Sequence, residues 1–298
     1  MPVVPITEAN DLPSSFDKRP RQEEVLMITP IGYEVGEHIN SHMHGTANKI
    51  AALQQWETLR DAYDTHTTTH VIDAAAYASA DSSLQPLDNL PDMVFAANQT
   101  LVNTEQNTVV LANMATEQRH GEVPYFRRFF EERGWTISTI PPHLNFEGSG
   151  DAIWHPNKDL LWGGYGIRTD EEAYEHVADV LDTTIYTIEL TDETYYHLDT
   201  CYMPLDEDTV LIAEDGFGED VQDAIHRLWD TVLIAPKYEA SDEISCNVHP
   251  VTDNHVFMST GAPETEQLLE GAGYTVHTFD LSEFKKAGGS VACLHQKL

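Results

Sequence analysis

One repeated pattern limits what this chain can fold into. Short β-like runs recur as EVLMITPIGYEV, MVFAANQTLV with TVVLANM, AIWHPNKDLLWGGYG, YYHLDTCYMPL with TVLIAED, and ISCNVHPVTDNHVFMST. Their alternation and β-branched content mark strand pairs joined by turns such as HPNKD, LDED and VTDNH. Between them, IAALQQWETLRDAYDTH, VPYFRRFFEERG, TDEEAYEHVADVL, EDVQDAIHRLWD and PETEQLLEGAG place apolar residues at helical spacing. Gly134, Gly271 and Gly273 read as left-handed helix ends. Each helix is followed by a further short strand, as in TISTI, TTIYTIEL, TVLIA and TVHTFDL. The unit is therefore strand–strand–helix–strand, recurring roughly every fifty residues about five times. Closed in a ring, such units would leave a channel lined by loops. An open doubly wound sheet is the alternative, but no GxGxxG or GxxxxGK loop follows any strand.

No Pro/Gly/Ser-rich linker divides the chain, so residues 1–298 read as one α/β domain. Residues 1–22, polar and bearing prolines, are expected to form a loose arm. The 50 Asp and Glu against 16 Lys and Arg give a net charge of −34, spread along the chain. That charge repels phosphate backbones and anionic lipid, which argues against nucleic-acid and membrane partners. It also fits a protein at home in molar salt, the ordinary acidic protein being the blander reading. No apolar run approaches the ~18–20 residues of a membrane span. The first residues lack the basic start and apolar stretch of a signal peptide. The three cysteines, Cys201, Cys246 and Cys293, form no CxxC pair. That count argues against a disulfide framework or structural zinc, and suggests a cytoplasmic, reducing setting.

Five segments could carry chemistry. Cys293 follows Ala287-Gly288-Gly289-Ser290, glycines that let a ligand approach the backbone. A free cysteine is more often a small buried hydrophobe, and Cys201 and Cys246 are read so, in strands. His197 and Asp199, read as strand residues i and i+2, would share a face. Glu147 and Asp151 bracket Gly148-Ser149-Gly150. Asp92 and Asn98 flank an apolar run read as a strand. Arg168 lies between a strand and a helix start, and its planar fork suits a carboxylate. Each has an ordinary alternative in a turn, a solvated face or an ion pair. His38, His42 and His44 fit no common metal-ligand spacing.

In order, PDMVFAAN, FEGSGD, GYGIRT, HLDT and GGSVAC resemble the guanidine-modifying superfamily, from about residue 25 to the C-terminus. That group includes arginine deiminases, dimethylarginine dimethylaminohydrolases, arginine dihydrolases and amidinotransferases. The resemblance implies a five-bladed α/β propeller, the pentein fold, of ββαβ units. It implies Cys293 as nucleophile, His197 as general acid/base and Glu147 as its partner. It implies Asp92 and Asp199 as substrate-contacting carboxylates, and Arg168 as the clamp for a substrate carboxylate. The segment Ile39-Asn40-Ser41-His42-Met43 resembles a loop near the site. The substrate would be a small arginine-like guanidino compound, with no metal or organic cofactor. Relatives are commonly dimers, so a homodimer is allowed, although no segment marks an interface.

The chain departs from the pattern in places. Asn98 stands where deiminases and dimethylarginine hydrolases commonly carry an acid, and an Asn there resembles the arginine dihydrolase branch. Asn113 replaces a common arginine, with Arg119 nearby, and Ala292 precedes the cysteine where an arginine is frequent. These changes leave the substrate open. An amidinotransferase and a non-catalytic binding protein of the same fold are the alternatives. Retention of Cys293, His197 and Glu147 argues against the second.

Overall fold

The computed structural model describes residues 1–10, 12, 22, 24–252 and 254–298. Among these residues the strands form five small sheets in an α/β fold. Thr100–Asn103 pairs antiparallel with Thr108–Leu111, which pairs parallel with Thr136–Thr139. The helix Val123–Glu131 makes the crossover, as a parallel connection requires. The pattern recurs with Ala152–Trp154, Leu160–Tyr165 and Thr184–Glu189 around the helix Ala173–Leu181. It recurs with Tyr202–Pro204, Thr209–Ile212 and Thr231–Ile234 around Glu219–Leu228. A further copy uses His249–Thr252, His255–Ser259 and Thr275–Phe279 around Pro263–Gly271.

The remaining sheet joins the C-terminal strand to the first repeat. Glu24–Ile28 pairs parallel with Thr68–Ile72 across the helix Lys49–His66. Its antiparallel partner is Gln296–Lys297, with Gln296 opposite Leu26. EVLMITPIGYEV is therefore one strand followed by turns, not a strand pair. The pairing fixes the segment that carries Cys293 onto the first strand of the repeat.

Each helix covers its sheet with the face that the periodicity marked. Tyr125, Phe126, Phe129 and Phe130 pack with Val102, Val109 and Leu111. A fully buried side chain of this size contributes about 1.5–3 kcal/mol. Asn48 caps the long helix, accepting from the amides of Ile50 and Ala51 at 3.1 and 3.2 Å, which satisfies two otherwise unpaired donors. Gly134 and Gly273 take positive φ, whereas Gly271 is the last residue of its helix.

Part of the expected loose arm is docked. Val3–Pro5 adds a parallel edge strand beside Thr184–Glu189. Ile6 is buried and Arg227 holds the Ala9 carbonyl at 2.8 Å. The β-branched pair Val3-Val4 suits a sheet edge. Residues 11 and 13–21 of that arm lie outside the described residues, as do Glu23 and Asp253, the latter in the VTDNH turn. No helix among the described residues is long and apolar enough to cross a membrane.

Candidate active site

Turns and loop ends, not strands, carry the candidate side chains. PDMVFAAN is a run of turns leading into the strand at Thr100. Asp92 and Asn98 at its ends, and Gln99 just beyond, are buried. Ala97 is the stitch between two loops. Its amide donates to the Cys293 carbonyl at 3.2 Å, and its carbonyl accepts from the Ser149 amide at 2.8 Å. The FEGSGD and GGSVAC segments are thereby held against the same backbone.

Gly148 makes this approach feasible. Its φ is +56°, and a Cβ there would fall 2.6–2.9 Å from the carbonyl oxygens of Thr100, Asn98 and Ala97. Gly289 is constrained by space alone, since a Cβ would meet the Phe95 ring at 2.2 Å. The expectation for glycines beside a ligand thus has a structural counterpart: backbone and ring already fill that room.

Cys293 sits in a single 3-10 turn, Ala292–Leu294, and is 2% exposed. Asn247 grips it twice: Cys293 N donates to Oδ1, and Nδ2 donates to Sγ, both at 3.2 Å. Sγ also lies 3.5 Å from Asp199 Oδ2. The other oxygen of Asp199 is buried with no hydrogen-bond partner. Burial pushes Asp199 up to about 7, against its bonds to Cys293 and Asn247. Burial, then the Asp199 charge, pushes the Cys293 thiol up. The thiol is therefore protonated when the site holds no cation.

His197 and Asp199 do not lie on a strand. His197 is extended, and a 3-10 turn, Leu198–Thr200, follows it. Both side chains still point inward, to different partners. His197 Nε2 meets Glu147 Oε2 at 2.6 Å. Nδ1 lies 3.5 Å from Asn98 Nδ2, an arrangement in which the amide donates to that nitrogen. Asp151 anchors the segment from below, accepting from the Leu198 amide at 3.0 Å and from Thr169 Oγ1 at 2.7 Å.

Glu147 is fully buried and well supplied with positive partners. Arg168 Nη1 lies 3.2 Å from Oε2, and the Ala115 amide donates to Oε1 at 3.0 Å. Burial raises its pKa, but His197, Arg168 and Arg119 outweigh burial and hold it at about 2. Arg168 Nη2 donates to the Ile39 carbonyl at 2.6 Å, tying the 39–43 loop to the site. The loop is held further by Asn40 Nδ2 on the Ala287 carbonyl and by His42 on the Thr194 carbonyl. An open cavity of about 740 Å³ lined partly by Ser41, His42, Thr194 and Lys286 abuts this loop.

Arg119 had only its position in the sequence to recommend it, yet it is central. Nε and Nη2 bond the Glu122 carboxylate at 2.9–3.1 Å. Nη1 donates to Asn98 Oδ1 at 3.0 Å and lies 4.0 Å from Glu147 Oε2. Asp92 also faces this cation, its backbone oxygen accepting from Nη2 at 3.3 Å. Burial raises the Asp92 pKa, against the charges of Arg119 and Arg168. Asn113, by contrast, is structural: it brackets Phe146 with two backbone bonds and donates to the Leu144 carbonyl at 2.7 Å. Asn247 and Glu122 had no signal in the sequence beyond residue type. Cys201 and Cys246 are buried, as expected, but lie in turns and not in strands.

The site thus combines a thiol, an imidazole–carboxylate pair and further buried acids. The chain is similar to several known proteins. A family profile described as N,N dimethylarginine dimethylhydrolase, eukaryotic, matches residues 82–298. The bifunctional arginine dihydrolase/ornithine cyclodeaminase ArgZ of Synechocystis is 35% identical over 279 residues, 91% of this chain and 37% of that protein. The chain therefore spans little more than a third of that relative. The N(G),N(G)-dimethylarginine dimethylaminohydrolase of Mycobacterium tuberculosis is 30% identical over 285 residues, covering 95% of this chain and 88% of that enzyme. A crystal structure of the N-terminal domain of an ArgZ variant, covalently bound to a reaction intermediate, superposes with a TM-score of 0.83. It is 31% identical, covering 92% of this chain and 97% of that one. On this combined ground, the chain belongs to the superfamily of dimethylarginine dimethylaminohydrolases and arginine dihydrolases.

Proposed function

We propose that this chain is a cysteine-dependent hydrolase of free arginine, taking it through a covalent intermediate to ornithine. One observation carries the reading: Cys293 Sγ sits against Asp199 while His197 pairs with fully buried Glu147, in loops stitched together at Ala97. The relatives' dihydrolase and dimethylaminohydrolase names support the substrate class. We further infer that the five sheets close into a five-bladed propeller within one catalytic domain. The pairing of Gln296–Lys297 with Glu24–Ile28 supports that closure, since it sets the last strand against the first strand of the first repeat.

The chemistry follows from the partners. A guanidinium is a planar cation with five N–H donors. Asp199 and Asp92 would hold its edges by charge-assisted bonds. The arriving cation favours both the Asp199 carboxylate and the Cys293 thiolate, which attacks the guanidinium carbon. With His197 Nε2 committed to Glu147, Nδ1 takes the thiol proton as the thiolate forms and then gives it to the leaving ammonia. Neutral His197 then takes a proton from water, whose oxygen attacks the thiouronium carbon. The C–S bond breaks and citrulline forms. Arg168 would meet the substrate carboxylate through donors not spent on Glu147 and Ile39.

Asn98 favours the dihydrolase branch. Its amide, fixed by Arg119, faces His197 without adding a negative charge. A neutral ureido group can stay beside it for a second attack by Cys293. Overall, arginine and two waters give ornithine, carbon dioxide and two ammonia.

The test incubates the protein in molar KCl with arginine, N,N-dimethylarginine or agmatine, beside Cys293→Ala. Ornithine with two ammonia per arginine, made only by the intact thiol, is the expected result. Citrulline as the end product would refute the dihydrolase reading and keep the hydrolase. Turnover of dimethylarginine in preference to arginine would move the assignment to the dimethylaminohydrolases. Equal inactivity of both proteins on every substrate would overturn the enzyme reading.

A further inference from the structure

Three histidines outside the Cys293 site converge where the helix Lys49–His66 meets the sheet containing His255–Ser259 and Thr275–Phe279. They are His66, His255 and His277, all half-buried, and one ring nitrogen from each lies within 4.8 Å of the others. They come from three separate elements. His66 ends the helix, while His255 and His277 lie on adjacent parallel strands, two residues out of register. Nothing in the sequence spacing predicts the cluster, because 189 residues separate His66 from His255. It is also distinct from His38, His42 and His44.

We propose that His66, His255 and His277 form a zinc(II) site that fastens the first helix to the last sheet. Local geometry favours coordination over an accidental stack. His66 Nδ1 lies 3.0 Å from the Ala62 carbonyl. That contact places the proton on Nδ1 and leaves the Nε2 lone pair for a metal, the usual arrangement of a ligating histidine held by a backbone carbonyl. His255 Nδ1 and His277 Nε2 are 2.8 Å apart, in rings stacked at 21°. Two ligands at about 2.0–2.1 Å from a tetrahedral zinc are roughly 3.3 Å apart, so these nitrogens need to separate by only about 0.5 Å. A neutral pair shares one proton at that contact. On metal binding it moves to the ring's other nitrogen, so both lone pairs become available without net proton release.

Phe257 packs edge-on to His66 at 5.2 Å and also touches His277 at 5.4 Å. An aromatic wall keeps water from one side of the cluster and fixes ring orientation. Three imidazoles leave the fourth zinc position to solvent. Imidazole is a good ligand for zinc and for copper or nickel, and a poor match for magnesium or calcium. Phe257 also packs on Tyr63 at 5.1 Å, and Tyr63 bonds His295 near Cys293. The cluster therefore braces the same wall that supports the nucleophile's segment.

The test titrates chelator-stripped, full-length protein with zinc(II) against a chromophoric competitor, beside His66→Gln/His277→Gln and Cys293→Ala. The Cys293 variant separates this site from zinc captured by a thiol. The expected result is one equivalent bound by the parent and by Cys293→Ala, with affinity reduced more than about tenfold in the histidine double variant. Zinc should also raise the melting temperature of the parent and of Cys293→Ala, and not that of the double variant. Unchanged zinc affinity in the folded double variant would overturn the proposal. So would loss of the equivalent in Cys293→Ala alone, or the absence of a bound equivalent in the parent.

Discussion

Replacing Arg119 with Met tests whether this buried cation supports the fold as well as the site. Methionine keeps an unbranched apolar stem, two atoms shorter, and removes the charge and donors. The change deletes the contacts to Glu122 at 2.9–3.1 Å, to Asn98 Oδ1 at 3.0 Å and to the Asp92 carbonyl at 3.3 Å. Arg119 is 3% exposed and Glu122 is 0% exposed, so water replaces none of these bonds. Glu122 keeps only Gln99 Nε2, at 2.7 Å. Burial already pushes Glu122 up to about 7, against Arg119. Without the arginine it must protonate at neutral pH or remain a buried, unpaired anion. Breaking a buried pair in this way costs about 3–5 kcal/mol. Unfolding entropy is about 2.1 cal/mol/K per residue, or about 0.6 kcal/mol/K for 298 residues. The melting temperature should therefore fall by about 5–8 °C. Circular dichroism in molar KCl, with reversibility checked, would measure it. Adding Glu122→Gln should return part of the loss, because the stranded carboxyl is gone. A loss below about 1 kcal/mol, the range of an exposed pair, would refute the reasoning.

Other consequences are equally specific. Asp199 must be ionised to hold a guanidinium, and burial pushes it up to about 7. The rate constant kcat/KM should therefore fall about tenfold per pH unit below that value. In Asp199→Asn the same limb should vanish along with most of the rate, and its survival would exclude Asp199 as its source. Gly148→Ala should destabilise the fold by more than about 1–3 kcal/mol and stop turnover, because the new Cβ meets three carbonyl oxygens. A variant as stable as the parent in urea would contradict that geometry. Raising KCl from 0.1 to 2 M should raise the melting temperature, since the net charge is −34 and salt shortens the Debye length from about 10 Å to below about 3 Å. An unchanged melting temperature would show that surface repulsion does not limit stability.

The repeat was legible because each element carries its own local period. Alternating strands and the amphipathic helices such as Val123–Glu131 depend on neighbours in sequence. The Gln296–Lys297 strand was not legible, because its two residues acquire meaning only opposite Leu26 and Val25. PDMVFAAN looks like a strand by apolar content, but its carbonyls turn inward to receive the FEGSGD loop. Pattern alone cannot tell burial in a sheet from burial beneath a loop. Cys293, His197, Glu147, Asp92, Asn98, Asp199 and Arg168 could be singled out as candidates because ordered motifs surround them. Asn247, Arg119 and Glu122 work through contacts with those residues, and a contact of this kind has no spacing in the sequence. The same distinction separates His66, His255 and His277 from the three closely spaced histidines of the 38–44 segment.

With Cys293 as the proposed nucleophile, the resting thiol presents an apparent conflict, since a nucleophile should not be buried beside a carboxylate that raises its pKa. The charge balance resolves it. Asp92, Glu122, Glu147, Asp151 and Asp199 are all buried here, against two guanidiniums, Arg119 and Arg168, and the imidazole of His197. Glu147 takes most of the cationic support and stays at about 2. Glu122 and Asp199 are left at about 7 and Asp151 at about 6, burial being the leading cause in each. The site is therefore short of positive charge, and the shortage lies beside Cys293. A guanidinium bound against Asp199 supplies that charge and lowers the carboxyl and the thiol together. The thiolate then forms where the substrate is, while an empty site keeps the sulfur protonated and shielded. High burial and a raised resting pKa are thus compatible with nucleophilic catalysis when the substrate is itself the cation that the site lacks.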